Sequence, residues 1–532
     1  MKERGFKYDV IVIGAGINGA GIARDAALSG LKVLLIDKGD IGSGTSSWST
    51  RLIHGGLRYL EHGEIGLVRE SLRERETLLK IASHLVAPLS ITIPIRKSGK
   101  RSRTTIRAGM IAYDLLSWGK SLQHHRIQSK EETLSEIPGL DSSGLLGSAV
   151  YFDAQVEFPE RLVLENAMSA RDHGADIETY ACVTNFRVAN GRVLAVEFQS
   201  KPTGVTWTAQ CEVVINAAGP WADQLLKKTP WESPRLIGGT KGSHIVLSKF
   251  TDAPKVAVYL EAEKDGRPFF VMPWNHLYLI GTTDVRFEND LDNVQAQMWE
   301  IEYLLDETNH AFPRAKLTPG DILYSYSGVR PLPFSDSDDE SKITRRHFIR
   351  EHAELGNLLS VVGGKLTTYR SLAEECIDIV FRKLERKRPK CQTGIMRLPG
   401  AARLMDIGDD FWHGLKFSDK VIKRLARIYG ACSSDIASLC INDPALAEPF
   451  NQDADAIAAE LVYAFESEMA VTLSDVLLRR TMLGLNADLA IGDDERAAGA
   501  VKQFCGWTDE RARKEILDYR NYVKRFRVNA GT

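Results

Sequence analysis

A glycine-rich turn near the start of the chain has the spacing of a phosphate-binding loop. Gly14, Gly16 and Gly19 form a Gly-x-Gly-x-x-Gly motif between an apolar run and a helical stretch, and Asp37 ends the next apolar run. The glycines permit a tight turn, a close approach of the backbone to a pyrophosphate, and close helix–strand packing. The helix directs free N–H groups at the anion, and an acidic residue after the second strand binds ribose hydroxyls. The sequence therefore predicts a dinucleotide site.

Three further polar, glycine-rich segments favour a flavin dinucleotide over NAD. Thr45, Ser46 and Ser47 supply hydroxyls soon after the second strand, and residues 216–219 end another apolar run. Residues 363–368 open a late helix, whose positive end suits a flavin that becomes anionic at its N1/O2 edge on reduction. Because distant segments that converge on one ligand fit a long molecule, FAD is the predicted cofactor.

The elements that must position these turns form a predicted α/β unit. Residues 8–13 and 32–37 are apolar strands, and residues 20–28 form the helix between them. Parallel strands joined through a helix give a right-handed βαβ unit. The remaining elements are predicted as a helix over 65–82, a hairpin over 178–198 that turns at Asn190-Gly191, strands at 211–216, 243–247, 277–280 and 358–362, and a helix from Leu366 onward.

The composition excludes several classes of protein. The 532 residues carry a formal net charge of −2, so no overall field attracts nucleic acid. No apolar run approaches the ~20 residues that span a bilayer. The seven cysteines include no Cys-x-x-Cys pair, which argues against a zinc or iron–sulfur site and for reduced thiols in the cytoplasm. The acidic run at 336–340 lacks the ligand spacing of a calcium loop, so no metal is predicted and a solvated turn is expected there.

Six ordered motifs give the chain a resemblance to the FAD-dependent, quinone-linked glycerol-3-phosphate dehydrogenases. They are the glycine motif and residues 45–60, 241–246, 281–284, 326–331 and 363–370. The segment from His54 to Tyr59 is the most specific, because generic flavin amine oxidases lack it. The family often has a third glycine where this chain has Ala15, a small residue that should cost little. The match runs from about residue 8 to residue 385, and the tail resembles the family's C-terminal domain.

The resemblance implies an α/β fold in which a Rossmann-like FAD-binding domain, of the glutathione-reductase/D-amino-acid-oxidase type, is interleaved with an antiparallel-sheet substrate domain. The FAD-binding domain is predicted over 1–90, 150–235 and 325–388, and the membrane-proximal substrate domain over 91–149 and 236–324. After Pro389 the sequence becomes rich in Ala, Leu, Glu and Arg at helical spacing, so residues 389–532 are predicted to form an all-helical C-terminal domain.

The resemblance also implies FAD contacts at individual residues, some of them within the segments 216–219 and 363–368 described above. The added contacts are Asn18, Lys38, Gly55, Gly56, Val183, Ala218, Gly219, Trp221, Gly364, Lys365, Leu366 and Thr367. With the glycine motif, Asp37 and the hydroxyls of residues 45–47, they form the predicted FAD site.

The implied substrate is sn-glycerol 3-phosphate, a phosphate dianion that carries a secondary alcohol. Such a dianion requires guanidinium forks and an ammonium group. Arg58, Arg330 and Lys365 lie in the motifs and are predicted to bind it, with Tyr59 as a hydroxyl donor. Asp284 is also predicted among the substrate-binding residues, where it either orients a histidine or caps a turn.

Oxidation to dihydroxyacetone phosphate requires hydride transfer from C2 to flavin N5 and a base for the hydroxyl proton. His244 and His54 are the candidate bases, because each lies in a motif and histidine titrates near working pH. Either histidine could instead contact the flavin or be a hydrogen-bonded core residue. With Arg330, these two histidines make up the predicted catalytic group.

Other functions share parts of this pattern. A glycerol-3-phosphate oxidase, which passes electrons to oxygen, would share every motif. A flavin amine or amino-acid oxidase would need a carboxylate clamp and an apolar amine pocket, whereas the motifs here hold a basic cluster. A flavin-binding membrane adaptor is the non-enzyme alternative. The oligomeric state is not determined by the sequence, and a homodimer remains open.

A basic segment followed by an apolar one suggests peripheral attachment to the cytoplasmic membrane. Six cations lie between residues 96 and 107, namely Arg96, Lys97, Lys100, Arg101, Arg103 and Arg107. Residues 110–118 then place Met, Ile, Tyr, Leu and Trp side chains on a predicted helix with little polar cover. Anionic headgroups attract such a surface, and an enzyme that reduces a quinone must reach the bilayer. The sequence alone also fits a solvated loop before a core helix.

Overall fold

The computed structural model of the chain describes residues 2–3, 5, 7–61, 63–97, 99, 101–335, 346–401 and 417–528, without the side chains of Glu3, Arg58 and Glu61. The predicted solvated turn at 336–340 lies outside the described residues. Within them, the chain forms two large sheets with flanking helices and a C-terminal helical domain. The α/β prediction is therefore confirmed.

The first sheet has nine strands among the described residues and carries the glycine motif. At its centre, Tyr8–Ile13 pairs in parallel with Val33–Ile36 on one side and Thr206–Asn216 on the other. All the residues of Val33–Ile36 are buried, as expected for a parallel strand covered on both faces. The remaining strands are Lys2–Glu3, Asp176–Glu178, Ala181–Ala189, Arg192–Ser200, Phe348–Glu351 and Leu358–Val362.

Three helices cover one face of this sheet. Ile17–Leu28 packs against Pro159–Asp172 and Tyr369–Lys383. Small residues such as Ala20 and Ala23 are fully buried, so the helices approach one another closely. The predicted hairpin turn at Asn190-Gly191 is confirmed, since both residues have the positive φ values that a type I′ turn needs (52° and 68°).

The second sheet has ten strands among the described residues and is almost entirely antiparallel. Its strands are Leu52–Ile53, Val86–Arg96, Arg126–Gln128, Leu145–Val156, Thr240–Leu247, Ala257–Glu261, Pro268–Trp274, Leu277–Gly281, Val285–Arg286 and Ile322–Arg330. The predicted domain boundaries at residues 90, 150 and 325 each fall inside one of these strands. The reason is physical, because the sheet that a strand joins depends on its hydrogen-bonding partner and not on its own sequence pattern.

Four longer helices flank the second sheet. They are Ile65–Ile81, Arg103–Leu116, Lys130–Glu136 and Met298–Ala311. Two short helices lie at Arg58–Glu61 and Ala222–Leu226, and the second packs in the core of the first sheet. No helix in the described ranges is both long enough and apolar enough to cross a membrane.

The C-terminal domain is helical over the residues described after 417, apart from one isolated β-bridge. Its helices are Asp419–Tyr429, Ser433–Asn442, Ala458–Glu466, Leu473–Asp475, Asp493–Cys505 and Asp509–Val523, with a π-helical turn at Val476–Arg480. Its core is continuous with that of the second sheet, since Tyr324 and Tyr326 belong to the same buried cluster as Leu477 and Tyr519.

Candidate active site

The glycine turn has the geometry that the motif predicts. Gly14 has φ +108°, and a Cβ atom there would lie 2.5 Å from the Ala217 carbonyl oxygen. A Cβ at Gly19 would overlap the Gly14 carbonyl oxygen, so neither position accepts a side chain. Gly16 is the N-cap residue of the helix Ile17–Leu28. Because it has no side chain, it cannot accept hydrogen bonds from the first N–H groups of the helix. The helix N-terminus is therefore built for an anion brought close to the backbone.

Asp37 and Ser46 reinforce this turn. Asp37 Oδ2 accepts a hydrogen bond from the Ala15 N–H at 2.6 Å, and Oδ1 accepts one from the Gly39 N–H at 2.8 Å. Ser46 Oγ accepts from the Ile17 N–H at 3.0 Å. Each carboxylate oxygen keeps a further lone pair, so Asp37 can still accept a hydrogen bond from a ribose hydroxyl.

The turn at residues 363–368, the late turn, lies against the start of the same helix. Asn18 Nδ2 donates to the Gly363 carbonyl oxygen at 3.3 Å, and a Cβ at Gly364 would lie 2.7 Å from Asn18 Nδ2. The Asn18 Oδ1 and Thr368 Oγ1 atoms are buried with no hydrogen-bond partner among the described residues. Orphaned polar atoms beside two glycine turns and an open helix N-terminus fit a dinucleotide such as FAD.

The other predicted cofactor residues lie around these turns, each with a local partner. Thr45 Oγ1 donates to the Val329 carbonyl oxygen at 2.7 Å, and Ser47 Oγ donates to the Gly42 carbonyl oxygen at 2.6 Å. The Gly55 N–H is shared between the Tyr113 hydroxyl and Asp153 Oδ1, at 3.1 and 3.2 Å. A Cβ at Gly56 would overlap the Tyr59 ring.

Four more predicted contacts lie in two pairs, Lys38 with Trp221 and Ala218 with Gly219. Lys38 Nζ lies 4.6 Å from the centroid of the Trp221 ring, and both side chains bind Asp292 Oδ1. Ala218 and Gly219 follow the Thr206–Asn216 strand, as predicted, and Gly219 has φ +56°. Of the other predicted contacts, Val183 accepts a hydrogen bond from Lys228 Nζ at 2.5 Å through its carbonyl oxygen, and Leu366 is half-buried in the turn at residues 363–368.

Arg330 ends the Ile322–Arg330 strand with its guanidinium over Gly242. Its Nη1 donates to Asp284 Oδ1 at 2.9 Å, and its Nη2 donates to the Thr282 hydroxyl at 3.2 Å. The structure places the Asp284 carboxylate against Arg330, where it orients the guanidinium. The Arg330 side chain is 23% exposed, so its guanidinium is held in place by these contacts and is still accessible from the site.

His244 lies on the neighbouring strand, Thr240–Leu247, and its ring is 1% exposed. Its Nε2 hydrogen-bonds to the Thr50 hydroxyl at 2.9 Å, whereas Nδ1 has no partner among the described residues. Burial, followed by the nearby cations Arg330 and Arg51, lowers the pKa of His244 well below its usual value. The imidazole is therefore neutral at working pH, and the same lowering makes it a weak proton acceptor while the ring stays buried.

A buried aromatic and charged frame holds the His244 ring. Tyr326 stacks on it with ring centroids 4.8 Å apart and donates its hydroxyl to the Ser49 carbonyl oxygen at 2.9 Å. Arg51 forms a bidentate ion pair with Glu160, at 3.0 Å for each hydrogen bond, and its guanidinium lies 5.7 Å from the Tyr326 ring centroid. The ring is thus fixed in position by contacts on several sides.

The second group of predicted substrate residues lies by the late turn. Lys365 Nζ is 3.7 Å from the centroid of the Tyr59 ring, a close cation–π contact. The His54 ring is half-buried, and its backbone N–H donates to Thr367 Oγ1 at 3.1 Å. Arg58 opens the short helix next to Tyr59, but its side chain lies outside the described residues.

Backbone hydrogen bonds bring these groups to one place. The Gly363 N–H donates to the Pro331 carbonyl oxygen at 2.9 Å, which joins the late turn to the strand end that carries Arg330. The Asn18–Gly363 and His54–Thr367 bonds join the same turn to the glycine motif and to the 45–60 segment. The predicted dinucleotide turns and the predicted substrate residues therefore share one edge, where the two sheets meet.

The structure also adds residues that sequence reasoning missed. Thr50 contacts His244, Tyr326 stacks on it, and Arg51 lies behind both. All three lie within the recognised motifs at 45–60 and 326–331, so a search of each motif for polar partners would have found them. Asp40 and Arg480, in contrast, pair across 440 residues, and no local pattern indicates that contact.

Two protein families match successive parts of the chain. Residues 9–370 match the family described as FAD dependent oxidoreductase, and residues 391–512 match the C-terminal domain of alpha-glycerophosphate oxidase. The second match lies within residues 389–532, the range predicted to be helical.

Similar proteins extend over nearly the full length. The chain is 45% identical to a glycerol-3-phosphate dehydrogenase of Synechocystis sp., and the alignment covers 97% of this chain and 96% of the relative. It is 33% identical to an aerobic glycerol-3-phosphate dehydrogenase of Staphylococcus haemolyticus, over 89% of this chain and 86% of the relative. A glycerol-3-phosphate dehydrogenase from Bacillus halodurans, solved in complex with FAD, is 28% identical with a TM-score of 0.82, covering 99% of this chain and 97% of that structure.

Proposed function

The chain belongs to the family of FAD-dependent glycerol-3-phosphate dehydrogenases, and from that membership we propose that it oxidises sn-glycerol 3-phosphate to dihydroxyacetone phosphate. The family resemblance predicted from the motifs is confirmed, and FAD is the cofactor. One observation carries the substrate proposal: a cationic fork, Arg330, and a neutral buried imidazole, His244, lie side by side where the dinucleotide turns converge.

Arg330 and Lys365 bind the phosphate in this proposal. A guanidinium oriented by Asp284 is aligned for a dianion, and a bidentate Arg–phosphate contact is specific as well as strong. The Lys365 ammonium, stacked on Tyr59, adds a second positive charge. Arg58 and the Tyr59 hydroxyl complete the set predicted by the family motifs.

His244 is the proposed acceptor of the hydroxyl proton. Thr50 binds Nε2, so Nδ1 is the ring nitrogen that has no partner within the described residues. A 1% exposed ring must shift, or a neighbour must move, before substrate can reach it. His54 is the second candidate because its ring is half-buried beside the late turn and thus closer to solvent.

FAD, when bound, supplies the two-electron acceptor for the C2 hydride. The residues that would hold it are the glycine turn, Asp37, Ser46 and the late turn, whose helix Tyr369–Lys383 points its N-terminus toward the converging segments. A helix N-terminus stabilises negative charge that develops nearby. The protein therefore contributes binding, orientation and a proton acceptor.

The rival enzymes are less well supported. A glycerol-3-phosphate oxidase would use the same residues, but the relatives that are similar over most of the chain are dehydrogenases. An L-alpha-glycerophosphate oxidase from Mycoplasma pneumoniae has a TM-score of 0.58 at 19% identity, which is a likeness of fold. An amino-acid oxidase needs a carboxylate clamp with an apolar amine pocket, and a membrane adaptor needs no ordered proton acceptor.

A bilayer quinone is the proposed electron acceptor, reached through peripheral docking of the helix Arg103–Leu116 on the cytoplasmic membrane. The two faces of this helix differ, because Met110 and Tyr113 are buried while Ile111 and Leu115 are exposed, as is Trp118 just beyond the helix. Exposed apolar side chains beside exposed cations are what an anionic interface attracts.

The basic residues next to this helix divide in the same way. Lys97, Arg103 and Arg107 are exposed, whereas Arg96 pairs with Asp141 and Arg101 contacts Glu261. Lys100 lies outside the described residues. Three of the six predicted cations therefore support the docking surface directly.

Anaerobic mixing tests the proposed function. Glycerol 3-phosphate should bleach the flavin absorbance of the purified protein, and a water-soluble quinone should restore it faster than oxygen does. Glycerol, which lacks the phosphate, is the matched control and should bleach far less. Absence of bleaching would reject the proposed substrate, and faster recovery with oxygen would favour the oxidase.

A further inference from the structure

A buried ion cluster joins the C-terminal helical domain to the FAD-binding domain at Asp40. The Asp40 carboxylate accepts hydrogen bonds from Arg479 Nε at 2.6 Å and from Arg480 Nη1 and Nη2 at 2.8 Å. All three side chains are buried. Burial alone would raise the pKa of Asp40, but Arg480 and Arg479 hold it below its usual value.

The two arginines are adjacent in sequence and still reach one carboxylate. They end the π-helical turn Val476–Arg480, and Arg479 Nη2 also binds Asp475 Oδ1 at 2.7 Å. Neighbouring residues of an α-helix point about 100° apart, so their convergence depends on long side chains and an irregular turn. π-Helical turns of this kind are frequent at functional sites.

A second chain of contacts runs parallel to the first. The Tyr180 hydroxyl donates to Asp475 Oδ1 at 2.6 Å, and the Tyr180 N–H donates to the Gly39 carbonyl oxygen at 2.9 Å. Asp40, Arg479, Asp475, Tyr180 and Gly39 thus form a closed ring of contacts. Through this ring of contacts, the C-terminal domain fixes the position of the start of segment 39–47.

The same segment is tied to the glycine turn. The Gly42 N–H donates to the Ala15 carbonyl oxygen at 2.9 Å, and Ser46 Oγ accepts from the Ile17 N–H at 3.0 Å. Asp37 Oδ2, just before the segment, accepts from the Ala15 N–H. Any displacement of this segment therefore moves groups at the N-terminus of the phosphate-binding helix.

The C-terminal domain also reaches the cofactor edge at a second point. Arg525 Nη1 donates to the Asp292 carbonyl oxygen at 3.3 Å. The Asp292 carboxylate in turn accepts from Lys38 Nζ at 2.5 Å and from Trp221 Nε1 at 2.9 Å, and both of these are predicted FAD contacts.

We propose that the C-terminal helical domain is a cofactor-retaining element, in which Arg479 and Arg480 position the 39–47 segment through Asp40 and thereby set the affinity for FAD. The proposal rests on FAD binding as stated under the proposed function. Arg479, Arg480 and Asp40 are positioning residues, because they act through the segment and not on the substrate.

Equilibrium binding of FAD to the full-length apoprotein tests this role. Arg480→Gln and Asp40→Asn each remove part of the cluster and should raise the FAD Kd at least about tenfold, as measured by quenching of flavin fluorescence. Tyr180→Phe removes only the hydroxyl of the second link and should raise the Kd by a smaller factor, about threefold. Excess FAD should restore turnover of Arg480→Gln.

Arg427→Gln is the matched control. Arg427 also joins the C-terminal domain to the rest of the chain, through Glu157 and Asn275, but it does not contact the 39–47 segment. Its FAD Kd should stay within about twofold of the parent. An unchanged Kd in Asp40→Asn and Tyr180→Phe, or an equal rise in Arg427→Gln, would overturn the proposal, even if Arg480→Gln fails to fold. A parent protein that binds no FAD would instead reject the proposed function.

Discussion

Arg330 and Asp284 form an ion pair at the junction of the two sheets, with Nη1 2.9 Å from Oδ1. The carboxylate takes one edge of the guanidinium, and the Thr282 hydroxyl lies 3.2 Å from Nη2 on the other. Asp284 therefore orients the fork and neutralises part of its charge. A substrate dianion would therefore meet a guanidinium that is already aligned. This preorganisation lowers the entropy cost of binding.

Arg330→Ala should raise the KM for glycerol 3-phosphate strongly while FAD content is kept. Loss of one partner of a buried charge pair costs about 2–5 kcal/mol, or at least tens of fold in affinity. Asp284→Asn should raise KM less, since the fork remains but loses its orientation. Arg235→Ala removes an exposed ion pair with Glu288 and is the control. An unchanged KM in Arg330→Ala would remove this residue from the substrate site.

The two candidate bases can be separated by kcat. His244→Asn should lower kcat by ~10²–10⁴, the usual contribution of a general base. His54→Asn should cost much less if His54 only borders the flavin site. Pre-steady-state bleaching of the flavin is the appropriate measurement, because it isolates the chemical step. The reverse order of effects would assign the base to His54.

Thr50 should be a positioning residue for His244. Its hydroxyl lies 2.9 Å from Nε2 and holds the ring, and Nδ1 can accept a proton only in the tautomer whose Nε2–H donates to Thr50. Thr50→Val keeps the shape and loses this bond, so kcat should fall while KM for substrate changes little. Thr50→Ser keeps the hydroxyl and should retain most of the activity. If the valine and serine variants behave alike, the hydrogen bond has no role in turnover.

The buried His244 should make stability depend on pH. Its pKa is lowered in the folded state, first by burial and then by Arg330 and Arg51, so the unfolded chain binds this proton more readily. The contribution of this group to stability is therefore fully present above the unfolded pKa of about 6.5 and is lost as pH falls below it. Between pH 7.5 and 5.5, the Tm of the parent should fall more than that of His244→Gln. Equal falls would contradict the neutral buried state.

The docking surface predicts reversible binding to anionic vesicles that weakens with salt. Leu115 and Trp118 are 64% and 75% exposed, and their replacement by Ser should reduce co-sedimentation while turnover with a soluble dye persists. Replacement of Lys97, Arg103 and Arg107 by Gln should act in the same direction, at about 1 kcal/mol per cation. Ile441 and Leu517, 60% and 59% exposed on the C-terminal domain, give the control double variant. Equal losses in both double variants, or none in the first, would place the surface elsewhere.

The local features of the fold follow from the sequence. Gly14 and Gly19 lack space for a Cβ, and Asn190 and Gly191 adopt left-handed φ, so the glycine turn and the hairpin were predictable from a few adjacent residues. The apolar runs 8–13 and 358–362 form strands at the predicted positions. The late helix begins at Tyr369 and not at Leu366, because residues 363–368 form the turn against Asn18.

The sequence by itself determined the residue types that can bind a dinucleotide and a phosphate, because those depend on short motifs and their chemistry. The tertiary structure alone decided which of them meet: that Arg330 pairs with Asp284, that Thr50 holds His244, and that Arg480 reaches Asp40. A strand's sheet and a buried charge's partner depend on packing between segments far apart in the chain. Such pairings leave no periodic pattern in either segment, so they emerge only when both sheets and the helical domain are packed together.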